Sequence, residues 1–164
     1  MEHLASAGIR ICVSTAFSRR VMTVVLDTLG WWDRIDLALS PEDVPRGSPM
    51  PDLVLAAMLR LGVTDVRETA VAYDTQVGIL SGRRAGAGVV AGILGGTHSG
   101  ERLRRAGATH LIHGIAQLPE LLIGAGSQVP DQPPPATPAV ADAAASGEVT
   151  QTHRPGGAGG RIAG

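Results

Sequence analysis

Two short segments of this chain carry residue types that do chemistry when they sit at strand ends. Ser14-Thr15-Ala16-Phe17-Ser18 places hydroxyls between an apolar alternation and a helical pattern. Hydroxyls there, beside the unpaired N–H groups and positive dipole end of a helix start, suit an anion. They also suit a turn in which Ser18 caps the helix and Thr15 faces water. Tyr73-Asp74-Thr75 places a carboxylate at the end of a second apolar run. An acid at that point, next to hydroxyls from another strand end, can hold Mg2+, which takes carboxylate oxygens and waters. Asp74 can equally cap the helix that follows it. The corner from Ala72 to Gly78, followed by Gly82-Arg83-Arg84-Ala85-Gly86, keeps one carboxylate, Asp74, and has Gly78 four residues on.

The elements that must position these residues are legible as periodicities. Ile9, Ile11 and Val13 alternate with polar neighbours, a strand signal. Met22, Val25, Leu26 and Leu29 fall at helical spacing and stop at Gly30. Ile35 to Leu39 is a short strand, and Pro45 to Pro51, with three prolines and a glycine, is a loop. Val54, Ala57, Met58 and Leu61 form a second helical stripe closed by Gly62. Thr69 to Tyr73 is a strand, Thr75 to Ala85 a helix, and Val89 to Ile93 a strand. Ser99 caps a short helix ending at Gly107, Thr109 to Ile112 is a last strand, and Pro119 to Leu122 a last helical turn. Strand and helix alternating in this way predicts an α/β fold with a parallel sheet and helices on both faces. Ligands of such sheets bind at the carboxyl ends of the strands.

Bulk properties bound the function. The 164 residues predict one domain, over 1–124, followed by an Ala/Gly/Pro-rich segment, 125–164, too poor in large apolar side chains to order itself. The formal net charge of -1, from 14 basic and 15 acidic residues, favours neither nucleic acid nor an anionic membrane. Aromatic residues make up 2%, too few for base stacking. Cys12 is the single cysteine, so no disulfide framework or thiolate metal cluster is expected. No apolar run approaches the roughly 20 residues that span a bilayer, and Met1 to Leu4 carries no signal pattern, so a cytoplasmic location is expected.

Other candidates rank lower. His98, His110 and His113 lack metal-ligand spacing. Gly92, Gly95 and Gly96 have no Gly-x-x-x-x-Gly-Lys context and read as a tight strand-to-helix connection. Trp31 and Trp32 are expected to pack at a helix end.

Taken in order, several pieces resemble one family. Gly8-Ile9-Arg10-Ile11 leads into Ser14-Thr15-Ala16-Phe17-Ser18-Arg19, then Leu29-Gly30-Trp31 and Pro41-Glu42-Asp43-Val44-Pro45 with Gly47, Pro49 and Pro51. Asp74-Thr75, Gly82, Ala85-Gly86 and Val90 to Ile93 follow. The set resembles the haloacid dehalogenase superfamily and, within it, the phosphonoacetaldehyde hydrolase (phosphonatase)-like branch, over about Gly8 to Leu122. The resemblance implies a Rossmann-like core and Mg2+-dependent hydrolysis of a phosphate ester or C–P bond through an aspartyl intermediate. It makes Thr15 and the Ala16 N–H the phosphate-binding pair and Asp74 a metal ligand. The substrate would be a phosphorylated or phosphonate small molecule.

The departures from that pattern are several. Nothing in Met1 to Ala7 matches the Asp-x-Asp-Gly-Thr nucleophile motif, and Glu2 is the one acid there. The cationic position of the Gly-Arg-Pro-x-Pro stretch is held by Ser48, with Arg46 two residues away. In the Gly-Asp-Thr-x-x-Asp motif, Tyr73 replaces the Gly and Gly78 the second Asp. All 14 basic residues are Arg, which excludes imine chemistry at a lysine. No catalytic residue is therefore assigned, Mg2+ binding is expected to be weakened or lost, and the chain alone is expected to be inactive. The alternatives are a non-catalytic anion-binding or interaction protein, and one half of a split hydrolase. The resemblance also puts the nucleophile strand in mid-sheet, between the strand from Ile9 and the strand ending at Tyr73. Without it those two pair across a gap or remain as edges, which a partner chain or self-association would cover.

Overall fold

A computed structural model of the chain describes residues 1–124. The segment 125–164, expected to be disordered, lies outside the described residues. Five helices and five strands alternate: α1 (Glu2–Ser6), β1 (Cys12–Ser14), α2 (Arg19–Leu29), β2 (Leu37–Leu39), α3 (Asp52–Arg60), β3 (Ala70–Tyr73), α4 (Gln76–Ala85), β4 (Val89–Ile93), α5 (Gly100–Arg105) and β5 (His110–Ile112). Short 3-10 turns at Trp32–Arg34, Pro41–Asp43, Val66–Glu68 and Ile115–Gln117 fill the connections, and Glu120–Gly124 is a wide π-type turn. The expected α/β class is the observed one.

Local signals set most boundaries. Buried Met22 and Leu26 sit four apart on α2, which ends where Gly30 takes a left-handed φ of 60°. Thr75 caps α4 by accepting from the Gly78 N–H, and Gly86, at φ 81°, ends it. The first strand differs from its expected span: Ile9 and Ile11 lie before the ladder, which runs from Cys12 to Ser14. The reason is pairing: β1 is defined by its partner β2, in the register Cys12–Leu37, Val13–Ala38 and Ser14–Leu39. Residues 2–6, before the first strand, form a helical turn that buries Leu4.

The strands fall into two parallel sheets, β1-β2 and β3-β4-β5. β1 and β3 share no ladder, so the two remain edges and do not pair with each other. The core sits against the three-stranded sheet, where Val54, Met58, Ile79, Val90 and Leu103 are buried together. α3 packs on both β2 and α4 and so joins the two halves. β4, the central strand, buries Val90, Ala91 and Gly92 in succession, as a strand covered on both faces must. α4 lies unusually close to β3. A Cβ at Gly82 would come within 2.3 Å of Val71 Cγ2, so only glycine permits that approach.

Candidate functional site at the carboxyl ends of the strands

The carboxyl ends of β1 and β3 meet, as the sequence requires of a site. Ser14 Oγ and Tyr73 Oη lie 3.4 Å apart, a long hydroxyl–hydroxyl contact. Thr15 and Asp74 are the next residues along each chain segment. Burial, and then the Ser14 contact in the opposite direction, leave the Tyr73 phenol above its ordinary pKa.

Thr15 makes local contacts. Its N–H donates to the Leu39 carbonyl at 3.1 Å, and its Oγ1 accepts from the Phe17 N–H at 3.1 Å. The hydroxyl closes a turn of its own chain, a common use of Thr. Ala16 is exposed. The start of α2 has an internal anion. Ser18 makes no side-chain cap; instead the Glu42 carboxylate accepts from the Arg19 N–H at 3.2 and 3.1 Å. The dipole end that would attract a phosphate is thus complemented from within the chain. A hollow of about 190 Å3 opens beside β1, but its walls include Val13, Phe17, Val25 and Trp31, with Ser14 and Thr15 as the polar lining. Apolar walls do not repay the desolvation of a phosphate dianion.

Asp74 does not cap α4; Thr75 does. Asp74 Oδ2 accepts from the Thr97 N–H at 3.0 Å and from Thr97 Oγ1 at 2.9 Å, and the Asp74 carbonyl accepts from the His98 N–H at 3.2 Å. The Thr97 N–H, then its hydroxyl, hold the Asp74 carboxyl below the usual carboxylate range. Position 96 must be glycine, because a Cβ there would lie 2.5 Å from Asp74 Cβ. The Gly95-Gly96 pair, read from sequence as a tight connection, is a loop folded onto Asp74. His98 Nδ1 accepts from the Gln76 N–H at 2.9 Å and so holds the start of α4. His110 Nδ1 faces Thr109 Oγ1, and His113 is exposed.

A magnesium ion does not fit this set of residues. Mg2+ binds through carboxylates and waters in near-octahedral geometry. One oxygen of Asp74 is engaged by two donors, Gly78 offers no side chain, and Tyr73 fills the space beside it. Among the described residues no group of three or more His, Cys, Asp or Glu side chains could hold a metal ion.

The cationic loop is likewise committed elsewhere. Ser48 is exposed. The guanidinium of Arg46 makes a two-pronged pair with Asp52, Nε to Oδ2 at 3.0 Å and NH2 to Oδ1 at 2.9 Å, at the start of α3. The loop itself is pinned to α4 by Ser81 Oγ donating to the Met50 carbonyl at 2.7 Å and Arg84 donating to the Pro49 carbonyl at 2.9 Å. Sequence reasoning missed both anchors. It also missed Asp43, whose carboxylate accepts from the Ser40 N–H at 2.9 Å, from Arg19 at 2.9 Å and from Arg60 at 3.1 Å. Those partners, the Ser40 amide first, hold Asp43 well below the usual carboxylate range. The signal for Asp43 was Ser40 followed three residues later by an acid, the spacing of a capping box.

Comparisons with known proteins agree on the ancestry of this arrangement. The family profile described as haloacid dehalogenase-like hydrolase matches residues 1–86. Phosphonoacetaldehyde hydrolase of Vibrio cholerae is 32% identical over 102 residues, which is 61% of this chain and 38% of that protein. Phosphonoacetaldehyde hydrolase of Pseudomonas entomophila is 31% identical over 140 residues, 78% of this chain and 51% of that protein. The crystal structure of a hydrolase from Pseudomonas syringae superposes with a TM-score of 0.67 at 29% identity, over 77% of this chain and 59% of that one. The chain therefore spans 38% and 51% of the lengths of these two curated relatives.

Proposed function

The chain belongs to the haloacid dehalogenase-like hydrolase family, in its phosphonatase-like branch, and from that premise we propose that it is a hydrolase core segment that does not turn over phosphate esters or phosphonates by itself. One observation carries the proposal: one oxygen of Asp74, the carboxylate at the end of β3, is engaged by both donors of Thr97, and Gly78 brings no second carboxylate beside it. Covalent hydrolysis needs an activated nucleophile and fixed positive charge around the phosphoryl oxygens. Thr15 Oγ1 is turned onto the Phe17 amide, and Arg46 is paired with Asp52, so neither serves that purpose. The substrate class of the family, a small phosphorylated or phosphonate molecule, stands as ancestry. The test is turnover of p-nitrophenyl phosphate and phosphonoacetaldehyde by the purified chain with millimolar Mg2+. No release above buffer is expected; activity that persists through successive purification steps overturns the proposal.

A second reading is favoured by the separation of the two sheets. β1 and β3 present facing edges joined by one hydroxyl contact. A strand supplied by another polypeptide would pair with both and bring an acid to the gap, giving a two-chain hydrolase. Co-expression with a polypeptide bearing such a strand should then raise soluble yield and produce Mg2+-dependent activity. Failure of both leaves the single-chain proposal standing.

A further inference from the structure

Tyr73 closes β3, and its side chain lies across the first turn of α4. A Cβ built on Gly78 would sit 2.5 Å from Tyr73 Cγ, 2.5 Å from Cδ1 and 2.8 Å from Cβ. Carbon pairs pack best at about 3.5–4.0 Å, so position 78 has no room for any side chain while the ring is present. The crowded atoms are the root of the tyrosine side chain. A swing of its far end relieves nothing; the whole ring has to leave. At that far end the hydroxyl reaches Ser14 Oγ on β1, 3.4 Å away. The ring also packs against the main core cluster. β1 and β3 share no ladder, so this side chain links the two sheets directly at their carboxyl ends.

We infer that Tyr73 and Gly78 are a matched pair, in which the ring occupies the volume a second metal-ligating carboxylate would need, so that the corner ties β1 to β3 in place of holding a cation. The identity of that displaced carboxylate rests on the proposed function and its family. The fit of the ring over Gly78 rests on this chain alone. The pair explains why the two departures in one motif occur together: the residue added at 73 requires the residue lost at 78.

Thermal melts of the full chain test the pairing. Glycine inside a helix is ordinarily less stable than alanine, so Gly78→Ala raises the Tm wherever there is room. Here Gly78→Ala should lower the Tm by several degrees, and in a Tyr73→Gly background the same change should raise it. An unchanged or higher Tm for Gly78→Ala in the wild-type background overturns the inference. Tyr73 is the one tyrosine of the chain, so second-derivative ultraviolet absorbance, which separates its band from those of Trp31 and Trp32, gives a second readout that needs no Tyr73 variant. Gly78→Ala should shift that absorbance toward the value of an exposed phenol, and an unshifted spectrum in a folded variant counts against the pairing. Manganese titration followed by water-proton relaxation should show no saturable binding to the wild-type chain at millimolar metal. Binding that Asp74→Asn abolishes overturns the inference while leaving the turnover result to judge the proposed function separately.

Discussion

The carboxylate of Asp74 receives both hydrogen-bond donors of Thr97, the N–H at 3.0 Å and the hydroxyl at 2.9 Å. This acid anchors the loop after β4. Thr97→Val should weaken that loop and lower the Tm by a few degrees, with amide exchange of residues 95–98 accelerated. Asp74→Asn should do the same above pH ~4, where the free carboxyl, of ordinary pKa about 3.9, is ionised. The sign follows from the lowered folded-state pKa: the stabilisation is present above the unfolded value and disappears as pH falls through the folded one. Because the group is partly exposed, the effect should be small. An Asp74→Asn variant with the same acid limb as wild type would refute the anchoring role.

Glu42 supplies the negative charge at the start of α2, 3.1 and 3.2 Å from the Arg19 N–H. Glu42→Ala should cost about 0.5–1 kcal/mol in urea unfolding, the scale of a charge at a helix N-terminus. High salt should shrink the difference between variant and wild type. A difference that is independent of salt would mean the contact matters through packing and not through charge.

Gly82 and Val71 form a second tight contact between α4 and β3, with 2.3 Å between a Cβ at 82 and Val71 Cγ2. Gly82→Ala should destabilise by about 1–3 kcal/mol, the usual range for overpacking. In a Val71→Ala background the same change should cost clearly less, because the obstructing methyl is gone. Purely additive costs in the double-mutant cycle would show that the helix shifts to make room.

Burial pushes the Cys12 thiol up to about 11, with Arg60 acting weakly in the other direction. A raised folded-state pKa means that the stabilisation is complete below the unfolded value of about 8.5 and is lost as pH rises toward 11. Burial raises the Tyr73 phenol in the same sense. The Tm should therefore fall across this alkaline range, and Cys12→Ala should flatten part of the fall. Alkylation of Cys12 at neutral pH should be far slower than that of an unfolded control, since the thiolate is the reactive form. Rapid modification of the native chain would contradict the burial.

Asp43 gathers the Ser40 amide and two guanidiniums at the end of β2. Asp43→Asn should lower the Tm by roughly 3–6 °C, the equivalent of about 1 kcal/mol in a domain of about 100–150 residues. Arg46→Ala, which removes one solvent-exposed guanidinium from Asp52 and leaves the three partners of Asp43 in place, should change it less. Equal losses from the two variants would remove the distinction between a capping hub and a surface pair.

By itself the sequence determined the alternation of strands and helices, the glycines that end α2 and α4, the order of motifs and hence the family. Those features are local: apolar spacing reports which face is buried, and a glycine or a capping hydroxyl acts within a few residues of its own position. Asp74, Thr15 and Ser48 were legible as positions in a motif, but their present partners were not. Tertiary structure alone decided that Asp74 holds Thr97, 23 residues away, that Arg19 meets Glu42, also 23 residues away, and that Tyr73 reaches Ser14 across 59 residues. It also decided that Gly78 is a packing requirement of Tyr73. The physical reason is that a carboxylate or a hydroxyl has the same local preferences whether it binds a cation, caps a helix or fastens a loop. Which of these it does depends on the donors that folding brings within about 3 Å, and those come from distant parts of the chain.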